Sequence, residues 1–418
     1  MWKKTAARFL ISIQVFSVFL LLVSCRNGAT DFFQEPEHTG VFTLNDSTQL
    51  FCRMEIEGTG DTLRISFVNN TEKITAEDLK FSGDSLTFRM PVFDAAFYLK
   101  FTAGSFRGIW KNYARKTQNE IPFEIRSSDF VSQAGLSNEN SSAFSGRWAV
   151  KFNPNTTDEY PAVGIFSPAE NPGEMAGTFL TETGDYRFLA GGIQKNGNLY
   201  LSCFDGAHAF VFKAQKVNDS LQGHFYSGSH SYENFLGIPS QNATLGNPDS
   251  LTYLLPGSQA LNFSFPDDKG KTVSLSDDSF SGKVVIIQIM GTWCPNCLDE
   301  TEYLSHLYKN KREKGLEIIS LAFEKSEDQE TARKNIQRLR KKTGAEYPIL
   351  ITGITGKQGA SKVFPQVNRI MAFPTTLFID RKGKVRKIHT GFLGPGTGAE
   401  YESFVEETGG FVDSLLRE

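Results

Sequence analysis

Two cysteines stand three positions apart in the run Gly291-Thr292-Trp293-Cys294-Pro295-Asn296-Cys297. Before them lies Lys283-Val284-Val285-Ile286-Ile287-Gln288-Ile289-Met290, the β-branched composition of a strand buried on both faces. After them comes a helical run from Leu298 to about Arg312, with Leu298, Thr301, Leu304 and Leu307 recurring on roughly one face. A strand–turn–helix order puts the first sulfur at a helix start. Free N–H groups and the positive end of the helix dipole favour a thiolate there. Two intervening residues set the second sulfur one turn deeper, close enough to close a small disulfide ring. Pro295, in the first turn, needs no N–H partner and presets φ. No Lys or Arg stands close in sequence, so the helix terminus is the expected source of activation. The implied chemistry is thiol–disulfide exchange, with Cys294 exposed and attacking and Cys297 resolving.

The elements that must position this pair can be read around it. Phe263–Phe265 and Thr272–Leu275 flank the turn Asp267–Gly270, as in a hairpin. Leu316 to Phe323 is a further strand, followed by a charged helix from about Asp328 to Lys342. Tyr347–Leu350 begins another segment, Gln358 to Val367 suits a short helix, Val385–His389 an edge strand and Glu400–Leu416 a closing helix. Strand runs alternating with charged helical runs indicate an α/β domain. Gly394–Gly398 is Gly-rich but lacks the Lys of a phosphate loop, and is read as a plain loop.

Residues 257–418 resemble the thioredoxin superfamily, specifically exported thiol–disulfide oxidoreductases of the TlpA/ResA type with a redoxin-like front end. The resemblance rests on Trp293-Cys294-Pro295-Asn296-Cys297, on Gly282-Lys283-Val284-Val285 ahead of it, and on Ala372-Phe373-Pro374-Thr375-Thr376-Leu377-Phe378-Ile379-Asp380 with Gly383 at a hairpin turn. It implies a thioredoxin-like fold, a redox-active Cys294–Cys297 disulfide and a cis Pro374 beside the sulfurs. There Pro374 blocks metal capture and leaves a backbone edge for a substrate strand, so Trp293, Pro295, Phe373, Pro374 and Thr375 are the implied substrate contacts. No cofactor and no metal are expected. Glu300 stands where these proteins often carry Glu. Two positions depart from the pattern. Gln288 replaces a buried Asp of cytosolic thioredoxins, so proton transfer at Cys297 must use water or another acid. Glu302 replaces a common Pro, which leaves the helix less kinked.

The preceding half has another character. With 36 Phe and 37 Gly, the chain is built for antiparallel sheet and tight turns. Leu50, Cys52, Met54 and Ile56 alternate onto one face, and Thr62–Phe67 alternates too. A weak internal repeat relates Asp84–Phe101 to Asn198–Phe212. Residues 36–245 are therefore read as two related β units in a barrel or sandwich, with 246–256 as a linker. Cys52 and Cys203 lie in strand-like runs and read as buried free thiols, a disulfide between them being the alternative. His208, His224 and His230 lack ligand spacing and read as solvated side chains.

Residues 1–25 read as an address. Lys3, Lys4 and Arg8 precede an apolar run from Phe9 to Val23, short for a membrane span and suited to a signal peptide. Its end, Leu22-Val23-Ser24-Cys25, resembles the lipobox of bacterial lipoproteins, which implies lipidation of Cys25 and a polar tether over 26–35. The expected location is the bacterial cell envelope, facing the periplasm, with the outer membrane favoured because Arg26 is not the Asp of an inner-membrane retention signal. The expected partners are exported proteins bearing disulfides or thiols, a membrane-side electron donor, and the membrane itself through the lipid. A balance of 44 Lys+Arg against 47 Asp+Glu gives no electrostatic reason for a nucleic-acid partner. Two other readings remain: a thiol peroxidase, and a lipoprotein binding module whose dithiol handles Cu(I).

Overall fold

The structure is a computed structural model that describes residues 31–35, 37–137, 141–258 and 261–418. The apolar leader, Cys25 and the tether up to residue 30 lie outside the described residues.

The first β unit holds nine strands: β1 (His38–Asn45), β2 (Thr48–Glu57), β3 (Arg64–Asn69), β4 (Glu72–Thr75), β5 (Glu77–Ser82), β6 (Ser85–Arg89), β7 (Ala95–Thr102), β8 (Ser105–Asn112) and β9 (Glu120–Arg126). They form one antiparallel sheet in the order β4-β3-β2-β1-β9-β8-β7-β6-β5, a rolled sheet joined through β1 and β9. The second unit runs β10 (Gly146–Phe152), β11 (Tyr160–Pro168), β12 (Glu174–Thr181), β13 (Gly184–Asp185), β14 (Leu189–Ile193), β15 (Leu199–Phe204), β16 (Ala209–Val217), β17 (Ser220–Ser227) and β18 (Ser231–Pro239). Its order is β11-β10-β18-β17-β16-β15-β14-β12-β13, and an added β11–β12 pairing closes it into a barrel. In each unit the first strand pairs with the last, and the segments of the sequence repeat fall on equivalent strands, β6–β8 and β15–β17.

The units interlock through β15, which is buried along its whole length. Leu199, Leu201 and Cys203 face the core of their own barrel, while Tyr200 and Phe204 enter the core of the first unit. Phe204 lies 4.6 Å from Phe42 and 4.8 Å from Phe67, ring centre to ring centre. Cys52 and Cys203 therefore belong to different cores, and both are free thiols.

The C-terminal region begins with the hairpin β19 (Ser264–Pro266) and β20 (Thr272–Ser274). A five-stranded sheet follows in the order β23-β22-β21-β24-β25, from β21 (Val284–Met290), β22 (Leu316–Ala322), β23 (Ile349–Ile351), β24 (Thr375–Ile379) and β25 (Val385–Thr390). β21 is central and wholly buried, as its β-branched run requires. Counting from the short helix α1 (Phe130–Ala134), the helices here are α2 (Pro295–Lys311), α3 (Gln329–Thr343), α4 (Gly356–Val363) and α5 (Ala399–Arg417). Asp328 caps α3 by accepting from the Thr331 N–H, and Gly344 ends it in the left-handed region.

The segment read as a linker is not a free tether. Asp249 pairs with His389 at 2.7 Å and Lys387 at 3.1 Å, and Tyr253 exchanges hydrogen bonds with Asn368. Polar residues there satisfy partners on the C-terminal sheet, a use that composition alone does not distinguish from solvation.

Candidate active site

Cys294 is the N-cap residue of α2, in extended backbone between β21 and the helix. Its Sγ accepts the Cys297 N–H at 3.2 Å and approaches the Phe373 carbonyl oxygen at 3.4 Å. A helix-start N–H therefore points at this sulfur, as the strand–turn–helix order implies. Cys297 is buried in the first turn, where burial and the neighbouring Cys294 push its thiol well above the ordinary range. The Phe373–Pro374 peptide is cis, and its loop stands against the dithiol.

Three expectations need correction. Cys294 is only 7% exposed, not open at the helix start, because the Phe373–Pro374 loop and the flanking Trp293 close on it. Thr375 is fully buried in β24, its hydroxyl donating to the Ala372 carbonyl, so its side chain offers nothing to a substrate. Pro295 is buried as well, and its carbonyl oxygen is taken by Arg187 at 3.1 Å. Trp293 is half-buried and lies 5.9 Å from the Phe373 ring, so these two line the approach to the sulfur.

A redoxin family model matches residues 255–404. The thiol-disulfide oxidoreductase ResA of Bacillus subtilis (strain 168) is 29% identical over 177 residues, 42% of this chain and 89% of that protein. A ResA of Bacillus cereus is 34% identical over 152 residues, 36% of this chain and 77% of that protein. The chain belongs to the ResA-type thiol-disulfide oxidoreductases. A solved structure, the thioredoxin domain of a thiol-disulfide oxidoreductase from Bacteroides vulgatus, is 24% identical with a TM-score of 0.27, covering 37% of this chain and 99% of that one.

Behind the dithiol of this ResA-type domain lies a buried polar network. Gln288 donates to Glu300 at 2.9 Å, and Thr376 donates to the other Glu300 oxygen at 2.7 Å. Gln288 also accepts from Ser320 at 2.6 Å. Glu300 follows Cys297 by three positions and so shares its helix face. Burial pushes the Glu300 carboxyl up to about 7, against the pull of its Thr376 and Gln288 hydrogen bonds. Gln288 thus acts as a bridge that orients an acid.

The ResA-type site also receives groups that sequence proximity did not reveal. Lys325, just after β22, holds its Nζ 3.6 Å from the Trp293 ring centre, and its charge reaches Cys294. Glu324 accepts from the Thr292 N–H at 2.9 Å and from its hydroxyl at 2.7 Å, pinning the turn before the motif. The β half docks on the motif itself. Arg187, beyond β13, is buried and donates to Asp299 of α2 and to Glu72 of β4, joining all three parts of the chain. Asn296 donates to the Asp185 carbonyl at 3.4 Å and to that of Phe392 at 3.2 Å. Gly184 lies against the Asn296 amide at φ +145°, a backbone conformation that favours glycine. Each of the three histidines has its own polar partner. His208 pairs with Asp205 at 3.0 Å, His224 with Asn234 at 2.9 Å, and His230 meets Arg115 at 3.0 Å.

Proposed function

We propose that this thiol-disulfide oxidoreductase is an envelope lipoprotein that exchanges its Cys294–Cys297 dithiol with the disulfides of exported proteins. The observation that supports this most directly is the Cys297 N–H aimed at the Cys294 sulfur beside the Phe373–Pro374 loop. In the cycle, the Cys294 thiolate attacks one client sulfur, and the other leaves as a thiolate that takes up a proton. Cys297 then attacks Cys294 in the mixed disulfide, releasing the second client thiol and closing the Cys294–Cys297 bond. Cys297 must first lose a proton, and Glu300, on the same helix face with a carboxyl raised to about 7, is suited to accept it near neutral pH. A client strand is read along Phe373 with Trp293 at its side. A membrane-side electron donor then restores the dithiol. The apolar run ending in Leu22-Val23-Ser24-Cys25 supports lipid anchoring of the body at Cys25.

Insulin-type disulfide reduction by the full chain tests the reading. The wild type should turn over with a dithiol reductant, and Cys294→Ser should be inert. Activity retained without Cys294 would refute it.

A further inference from the structure

Both residues between the two sulfurs are held by the β half. Arg187, just beyond β13, donates through Nη1 to the Pro295 carbonyl at 3.1 Å and to Asp299, and through Nη2 to Glu72. The Asn296 amide donates to the Asp185 carbonyl of β13 at 3.4 Å and to the Phe392 carbonyl at 3.2 Å. The Asp185 carboxylate ties the same turn together. It accepts the Arg187 N–H at 2.5 Å and, from the loop after β25, the Gly394 N–H at 2.6 Å. The two backbones touch here, since a Cβ at Gly396 would lie 2.8 Å from the Arg187 carbonyl carbon and oxygen. Residues 184–187 thus form a wedge between the first turn of α2 and the loop after β25.

That first turn supplies the Cys297 N–H that the Cys294 sulfur accepts at 3.2 Å. A hydrogen bond to a thiolate is stronger than one to a thiol or a disulfide sulfur, so whatever fixes the turn favours the reduced, ionised form. The charge of Arg187 is matched where it stands by Asp299 and Glu72. Its effect on the sulfurs therefore goes through the position of Pro295 rather than through its field. Resting on the exchange proposed above for Cys294 and Cys297, we propose that residues 184–187 of the β half, with Arg187 as the positioning residue, clamp the turn between the two sulfurs and raise the reduction potential of the couple. Linkage makes the effect reciprocal: a clamp that favours the dithiol is held more tightly by the dithiol than by the disulfide. The β half therefore loosens on the C-terminal domain when the enzyme is oxidised.

The test equilibrates the full chain with glutathione. Two glutathione thiols reduce the Cys294–Cys297 bond, two electrons and two protons passing to its sulfurs while one glutathione disulfide forms. Gly396→Ala forces the two backbones apart and leaves every side chain of the dithiol and the wedge in place. Arg187→Lys keeps the charge but has no fork to reach Pro295, Asp299 and Glu72 together. Each should move the equilibrium about tenfold toward the disulfide, the lower end for a lost hydrogen bond to a charged group, or about 30 mV for this two-electron couple. Hydrogen exchange at Gly394, whose N–H is held by Asp185 across the docked surface, reads the reciprocal effect in wild type. Oxidation should speed it by the same factor, about tenfold. The inference is overturned if either folded variant keeps the wild-type equilibrium, or if Gly394 exchanges alike in the two redox states. Should a variant fail to fold, the Gly394 comparison on the wild type decides alone. A wild type that forms no Cys294–Cys297 disulfide in any glutathione mixture would instead overturn the proposed exchange on which the clamp depends.

Discussion

Glu300→Gln isolates the energetic consequence of burying an acid behind the dithiol. Glu300 is 1% exposed, and its carboxyl rises from 4.5 to about 7 in the folded chain. Between those two pH values the folded state holds a proton that the unfolded state has released, so stability falls as pH rises. Below the lower value both states are protonated and the group contributes nothing. Above the higher value the loss is complete. A shift of about 2.5 units at about 1.4 kcal/mol per unit gives about 3 kcal/mol. Gln keeps an oxygen for the Thr376 hydroxyl but presents an amide to Gln288, which adds an offset independent of pH. The slope therefore carries the argument. Hydrogen exchange of the β21 amides, with both sulfurs kept reduced, reports the opening free energy of this domain. From pH 4.5 to 8.5 the variant should gain about 3 kcal/mol relative to wild type. A difference that changes by less than about 1 kcal/mol would show that Glu300 is ionised at little cost, and its role as proton acceptor near neutral pH would fall with it.

Arg187→Ala strands Asp299 and Glu72 in a buried site and should cost about 3–5 kcal/mol, with Arg187→Lys recovering part. Thermal unfolding and proteolysis between the β half and the C-terminal domain would read this, and an unchanged transition would refute the latch. Cys297→Ser should accumulate mixed disulfides with clients through Cys294, whereas Cys294→Ser should accumulate none. Iodoacetamide labelling of the reduced chain should modify Cys294 first at acidic pH, and labelling of Cys297 first would reverse the assigned roles. Cys25→Ser should move the body from the membrane to the soluble envelope fraction and abolish lipid labelling, while persistent membrane association would refute the lipid anchor.

Local sequence determined much of the catalytic core. A β-branched run, a turn and an amphipathic run place Cys294 at a helix N-cap because each piece has its own periodicity and the N–H geometry of a helix start is local. Asp328 and Gly344 bound α3 for the same reason. The β half was legible as alternating strands and as a repeat. What alternation does not encode is which core each face enters, so the division of β15 between two cores emerged only from the fold. The same holds for the surroundings of the dithiol. Arg187 lies 112 positions from Asp299. No periodicity links such residues, and an isolated Arg in a loop reads as solvated until chain packing removes its water. The Arg187–Asp299 pair and the Pro295 carbonyl engaged by the β half are consequences of docking one folded surface on another. Their partners are chosen by shape and charge across the interface rather than by neighbours along the chain.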